Sequence, residues 1–500
     1  MKERYEELVR RFGEISDLGR ARALLAWDER TMMPSGGAEA RAEQIATLTR
    51  ARHERITADE IGALIDELRP WAEELEHDSV EASMVRAAAR EWDKARRVPA
   101  QLRAEIARAS SLGEHAWVKA REQSDFSLFL PHLERNVELK RRYIEHFDPP
   151  DHPYDILLDD FEPEMTTAQI RPVLDELREG LRPLVAGLPD GGGSTNGSPL
   201  HGSFPVPEQE RFVAELASVL PLDEGAWRID TTVHPFAVAI ATTDIRLTTR
   251  YDEGYLGTAL WSVLHEGGHG LYENGFDPAL SRTPLCRPPS LGFHESQSRL
   301  WENWVGRGRP FLRWLAPRLA DAFPDQLGGV DGDALYRAAN VMRPSLIRVE
   351  ADELTYNLHI ALRFELELEI FEGRLALADL PQAWNARIAQ YLGLEVPDDA
   401  HGVLQDVHWA AGSFGYFPTY SLGNVLAGQI WELATEALPD LDDQLARGEL
   451  RPLRDWLGER LYWHGGKLTP SEMTQRVCGA PLSVEPFLDQ MRAKVRDLYG

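Results

Sequence analysis

His265-Glu266-Gly267-Gly268-His269 puts two imidazoles and a carboxylate within five residues, inside Leu256 to Tyr272, where apolar residues recur at helical spacing. At 3.6 residues per turn, positions 265 and 269 stand one above the other on one face, so both rings reach a single cation. Glu266, one residue along, meets an attacking water rather than the ion, which is the general-base place in zinc-assisted hydrolysis. With 15 histidines in 500 residues, chance supplies such a pentapeptide about once in twenty chains of this length, so corroboration is required. The structural alternative is a buried helix whose histidines bond to backbone carbonyls. Against it stand the two adjacent glycines. Each costs on the order of 1 kcal/mol in mid-helix relative to alanine, a sacrifice suited to close approach by another backbone or a substrate.

A catalytic zinc needs a third protein ligand and an open position. His294-Glu295-Ser296-Gln297-Ser298-Arg299 supplies the candidate, Glu295, twenty-six residues beyond His269 in a segment that becomes helical through Leu300, Trp301 and Trp304. The alternative for Glu295 is an acid in a first helical turn, favoured there by the helix dipole.

The elements that must hold these groups are mostly helical. From Glu3 to His146 amphipathic segments follow one another, for example Ala38 to Arg52 and Glu60 to Arg69. Pro149 to Pro153 breaks the pattern, and Thr166-Thr167-Ala168-Gln169 reads as a cap opening a helix at Ile170. The Gly- and Ser-rich stretch at about 190–204 predicts a flexible surface loop. Val, Ile and Thr concentrate in Thr231 to Val233 and Asp244 to Arg250, predicting a small sheet just before the motif helix. Helical periodicity then returns nearly to Gly500, with no repeat of fixed period. One mainly α body, residues 1–500, is expected.

Composition removes several classes. The 54 Lys and Arg against 81 Asp and Glu give a net charge of −27, which repels phosphate backbones and excludes nucleic acid as a partner. No apolar run is long enough for a membrane span. The first residues lack the apolar core of a signal peptide, and two cysteines build no disulfide framework. A cytoplasmic location is expected.

Six motifs in order carry a resemblance that runs along essentially the whole chain. They are His234-Pro235-Phe236, Asp244 to Thr248, the His-Glu-x-x-His, His294 to Gln297, Ile347-Arg348-Val349-Glu350-Ala351-Asp352, and Gly402 to Trp409. The sequence resembles the Taq-type thermostable metallocarboxypeptidases. That resemblance implies a two-lobed helical body with a deep substrate groove, similar to neurolysin-like and angiotensin-converting-enzyme-like peptidases, and a homodimer. It implies one divalent metal, zinc or cobalt, on His265, His269 and Glu295, with Glu266 as base. The reaction implied is release of single amino acids from peptide C-termini with broad specificity. An oligopeptidase or dipeptidyl carboxypeptidase on the same ligands is the alternative, and a metal-stabilised peptide-binding protein without catalysis is another.

Under this resemblance Arg348 is the anchor for a substrate's terminal carboxylate, because a guanidinium fork matches a carboxylate. Asp352, four positions on, is expected to orient it from the same helical face. The plainer role is an ion pair with Glu350 or Asp352. Arg246 is a second anchor or a partner of Asp244. His408 and Tyr420 donate to a developing oxyanion or else pack in the core. His234 contacts substrate or supports the site.

Overall fold

The computed structural model describes residues 1–148, 150–189 and 198–500. Helices dominate, and a single three-stranded sheet is present among the described residues. The expected helical opening is realised as Lys2–Thr31, Ala38–Ile56, Asp59–Glu73, Val80–Arg97, Ala100–Gln123 and Leu130–Ile144. Thr166 caps the helix Thr167–Ala186, which opens three residues before the expected Ile170, and its N–H bonds to Gln169 Oε1 at 2.9 Å. Of the loop expected at about 190–204, residues 190–197 lie outside the described residues. The remainder is anchored rather than loose. Leu200 and Phe204 are buried, His201 stacks on Tyr255, and the Phe204 N–H bonds to Glu253 O at 2.9 Å. No helix among the described residues is long and apolar enough to cross a membrane.

The chain divides into two compact units. The first comprises residues 1–96, 198–339 and 430–481, the second residues 97–148, 150–189, 340–429 and 482–500.

In the first unit, strands β1 (Trp227–Thr231), β2 (Ala237–Ala241) and β3 (Asp244–Thr249) form a sheet of order β1-β3-β2. β1 runs parallel and β2 antiparallel to the central β3. β2 is an addition to the sequence reading, because Ala237-Val238-Ala239-Ile240-Ala241 lacks the β-branched density that marks its neighbours. Against this sheet lies the helix Gly257–Asn274. A Cβ at Gly270 would stand 3.0 Å from both Ile245 and Leu247 of β3, so the missing side chain sets how near helix and strand come. Ala259, Leu260, Val263 and Leu264 are fully buried on this helix. Each large one contributes roughly 1.5–3 kcal/mol by leaving water.

In the second unit the helix Glu353–Phe371 is buried on almost every side and begins at Asp352, whose carboxylate accepts from the N–H groups of Leu354 and Thr355 at 2.9 and 3.1 Å. Glu367, in the last third of this helix, accepts from Tyr154 Oη at 2.6 Å, Trp409 Nε1 at 2.8 Å and Gly415 N at 2.9 Å. These bonds tie the Trp409 to Gly415 turn to the unit's central helix.

Candidate active site

His265 and Glu266 occupy the third turn of Gly257–Asn274 and His269 the fourth, and Glu295 comes from the next helix, Leu291–Arg299, capped by Ser290. What lets the two helices meet is Gly268. A Cβ there would collide with the Gln297 carbonyl oxygen and stand 2.8 Å from Ser298 Cα. The backbone approach that the paired glycines predicted is therefore the neighbouring ligand helix. Gln297 is locked in turn, its Oε1 accepting from Tyr462 Oη at 2.9 Å.

The result is a compact set of donors. Glu295 Oε2 lies 3.8 Å from His265 Nε2 and 3.6 Å from His269 Nε2, and the nearest ligand atoms of the three residues all fall within 4.8 Å of one another. Two ligands at 2.1 Å from a tetrahedral zinc are about 3.4 Å apart, so this spacing needs little adjustment to fit a divalent ion. Orientation agrees. His265 Nδ1 donates to Glu302 Oε2 at 2.9 Å and His269 Nδ1 to the His294 carbonyl at 3.1 Å, which leaves both Nε2 lone pairs free for a cation. Glu295 Oε1 is taken by Arg299 Nε at 2.7 Å, so Oε2 is the oxygen left for an ion.

Glu302 and Arg299 are groups the sequence reading passed over. Glu302 sits on a π-helical stretch, Leu300–Gly306, and Arg307 Nη2 donates to its second oxygen at 2.9 Å. Burial alone would raise its carboxyl pKa, but His265, Arg307 and Arg299 hold it well below the usual carboxylate range. An ionised Glu302 can only accept, which fixes the His265 tautomer. A signal was available: Glu302 is the lone acid in the apolar run Leu300-Trp301-Glu302-Asn303-Trp304-Val305.

Glu266 is buried, and its carboxylate makes no hydrogen bond or ion pair among the described residues. Burial pushes its pKa up to about 7, with the negative Glu295 adding to the rise and His265 opposing it. A carboxylate so placed is a good proton acceptor near neutrality.

In the second unit the remaining candidates group differently. Arg348 lies on a single turn, Arg348–Glu350, so it does not share a helical face with Asp352, and Asp352 spends its carboxylate on the helix cap. The orienting acid is Asp406 instead. Its Oδ1 accepts from Arg348 Nε at 2.9 Å and Nη2 at 2.7 Å, while Arg348 Nη1 donates to Tyr356 Oη at 2.9 Å. Three of the five guanidinium N–H groups are thereby engaged, leaving two. His408 Nε2 lies 3.1 Å from Tyr420 Oη, so the two oxyanion candidates touch. Burial pulls His408 down to about 4, outweighing the neighbouring Asp406, and the ring is neutral at pH 7.

Arg246 and His234 make no hydrogen bond or ion pair with His265, His269 or Glu295. Arg246 forks onto Asp244 through Nε and Nη2, and its guanidinium lies 4.8 Å from the Trp27 ring. The Asp244 pair is one of its two expected roles. His234 is exposed in the bend between β1 and β2.

A His-Glu-x-x-His helix with a glutamate from the following helix, in a mainly α fold, defines a metal-dependent peptide hydrolase. The sequence pattern of the family described as Carboxypeptidase Taq (M32) metallopeptidase matches residues 7–495. Thermostable carboxypeptidase 1 of Thermus thermophilus is 42% identical, with 99% of each chain covered. Carboxypeptidase 1 of Bacillus subtilis is 40% identical over 97% of this chain and 96% of its own. The crystal structure of an M32 carboxypeptidase from Deinococcus radiodurans superposes with a TM-score of 0.95 at 40% identity, covering all of both chains. The chain belongs to the Taq-type, M32 family of metallocarboxypeptidases. It is a carboxypeptidase, hydrolysing the C-terminal bond of peptides.

Proposed function

We propose that residues 1–500 form one metallocarboxypeptidase domain that releases single amino acids with broad specificity, using one zinc per chain on His265, His269 and Glu295, cobalt being the alternative. The observation that carries the reading is the convergence of two undonated Nε2 atoms and one undonated Glu295 oxygen beside an unbonded Glu266. A divalent cation in such a site polarises a scissile carbonyl and acidifies water.

The protein's own groups then have distinct tasks. Glu266 takes a proton from the attacking water and passes it to the leaving amine. His408 or Tyr420 donates a hydrogen bond to the developing oxyanion. Arg348 takes the terminal carboxylate with its two remaining N–H groups and so sets exopeptidase register. His234 and Arg246 support substrate binding, Arg246 by way of its Asp244 pair. Two free cysteines, Cys286 and Cys478, suit a cytoplasmic location, and the family resemblance carries the homodimer.

Digestion of an N-terminally blocked peptide tests this reading. Free C-terminal amino acids appearing in order are expected; dipeptides or internal cuts would replace it with a dipeptidyl carboxypeptidase or oligopeptidase. Peptide bound but left intact by metal-loaded protein would make it a binding protein.

A further inference from the structure

Arg363 belongs to none of the motifs above, yet it is fully buried, at 0% exposure, and every nitrogen it has is engaged. Nε donates to Asp406 Oδ2 at 2.7 Å, Nη1 to the His359 carbonyl at 2.7 Å, and Nη2 to Gln405 Oε1 at 2.8 Å. Nη2 also lies 2.6 Å from Asp406 Oδ2, and the Trp384 ring is 4.4 Å from the guanidinium carbon. A buried guanidinium is expensive even when paired, and an aliphatic side chain of similar volume would fill the space at less cost. The charge therefore calls for a use.

Its contacts converge on Arg348. Asp406 gives Oδ1 to Arg348 and Oδ2 to Arg363, so one negative charge is divided between two guanidiniums. Gln405 Oε1, which Arg363 holds, also accepts the backbone N–H of Arg348 at 2.8 Å. Arg363 thus grips both handles by which Gln405 and Asp406 hold Arg348, one on its side chain and one on its backbone. Among the described residues no carboxylate other than Asp406 forms an ion pair with either guanidinium. Glu367, one turn along from Arg363, accepts from Tyr154, Trp409 and Gly415 instead, and burial pushes its pKa up to about 7, which weakens its hold on the guanidinium charge. His359 and His408, pulled down to about 3 and about 4 mainly by burial, are neutral at pH 7.

We propose that Arg363 is a positioning residue for Arg348: it fixes Asp406 and Gln405 and, by sharing Asp406, leaves Arg348 with uncompensated positive charge for a peptide's terminal carboxylate. The proposal rests on the reading of Arg348 as the carboxylate anchor, and the test separates the two.

Arg363→Met, Arg363→Lys, Arg348→Met and the Arg348→Met/Arg363→Met double variant are assayed in the metal-loaded enzyme on one N-blocked peptide carrying a free acid or an amide at its C-terminus. For Arg363→Met, KM on the free acid is expected to rise about 10- to 100-fold with kcat nearly unchanged, while the amide is barely affected. Arg363→Lys, which can still pair with Asp406, should fall between it and wild type. The double variant should be no worse on the free acid than Arg348→Met alone, because the second residue acts through the first. Multiplying losses in the double variant, or an equal fall in kcat on both substrate forms, would overturn the positioning role while leaving Arg348 as anchor. If Arg348→Met itself fails to separate acid from amide, the anchor falls and the proposal with it. Should Arg363→Met fail to fold, as read by circular dichroism and thermal unfolding, the same cycle run with Arg363→Lys decides by the same criteria.

Discussion

The His265–His269–Glu295 cluster and the Arg348–Asp406–Arg363 cluster are opposites in hydrogen-bond arithmetic. In the first, acceptors face one another with their outer atoms already settled: Glu302 and the His294 carbonyl accept from the two Nδ1–H groups, Arg299 donates to Glu295 Oε1, and three inner lone pairs are left without a proton. In the second, donors are in excess, with two guanidiniums on a single carboxylate. Acceptors without donors call for a cation, and donors without acceptors call for an anion. In the proposed reaction the first cluster holds the ion at the scissile bond and the second holds the terminal carboxylate. The contrast therefore sorts the chemistry more sharply than either cluster alone.

The strongest way to sharpen the contrast is to remove the one acidic group beside the first cluster that touches none of its neighbours. Glu266→Gln is expected to keep its metal and lose about 100- to 10,000-fold in turnover, the usual worth of a general base. Metal content and single-turnover hydrolysis measured together check it, and a Gln variant of near wild-type rate would take Glu266 out of the reaction.

The second cluster is best broken at Asp406. Burial alone would raise its carboxyl pKa, but Arg363, Arg348 and His408 hold it far below the usual carboxylate range. A pKa depressed in the folded state adds stability that is full above the unfolded value near 3.9 and fades as pH falls below it. Asp406→Asn should therefore cost on the order of 3–5 kcal/mol at pH 7 by leaving two buried guanidiniums unpaired. The gap to wild type should narrow below about pH 4. Denaturant unfolding at a series of pH values reads both, and a gap that stays constant into acid would show that the Asp406 charge is not what stabilises the cluster.

A smaller effect is expected where the first cluster depends on backbone packing. Gly268→Ala pushes a methyl group into Gln297 and Ser298, displacing the helix that carries Glu295. Loss of ligand orientation is worth about 10- to 100-fold in metal affinity. Chelator competition measures it, and unchanged affinity would mean the two helices can separate without moving Glu295.

The two clusters also differ in how far the sequence reveals them. His265, Glu266 and His269 lie within a turn and a quarter of one helix, so periodicity alone brings them together, and the paired glycines announce a close neighbour. Glu295 follows in the next helix. Glu302 escapes because its place depends on a π-helical turn that shifts register, which no 3.6-residue pattern encodes. The arginine cluster draws on positions 348, 363, 405 and 406, joined only by tertiary folding. Helical spacing there pointed to Asp352, whereas the chain breaks between Arg348 and Asp352 and hands the orienting role to Asp406. Strand β2 was hidden for a simpler reason, since alanines pack against a helix as readily as they fill one.

In the proposed reaction, catalysis depends on an ion held by the acceptor cluster. Elemental analysis of the purified protein, and of His265→Ala and His269→Ala variants, alongside release of C-terminal amino acids, checks this dependence. One divalent ion per chain is expected in the wild type, lost together with hydrolysis in either variant and on chelation, and restored to the wild type with activity by added zinc or cobalt. A fully active wild-type preparation containing no metal, or His-to-Ala variants that keep both ion and turnover, would contradict it.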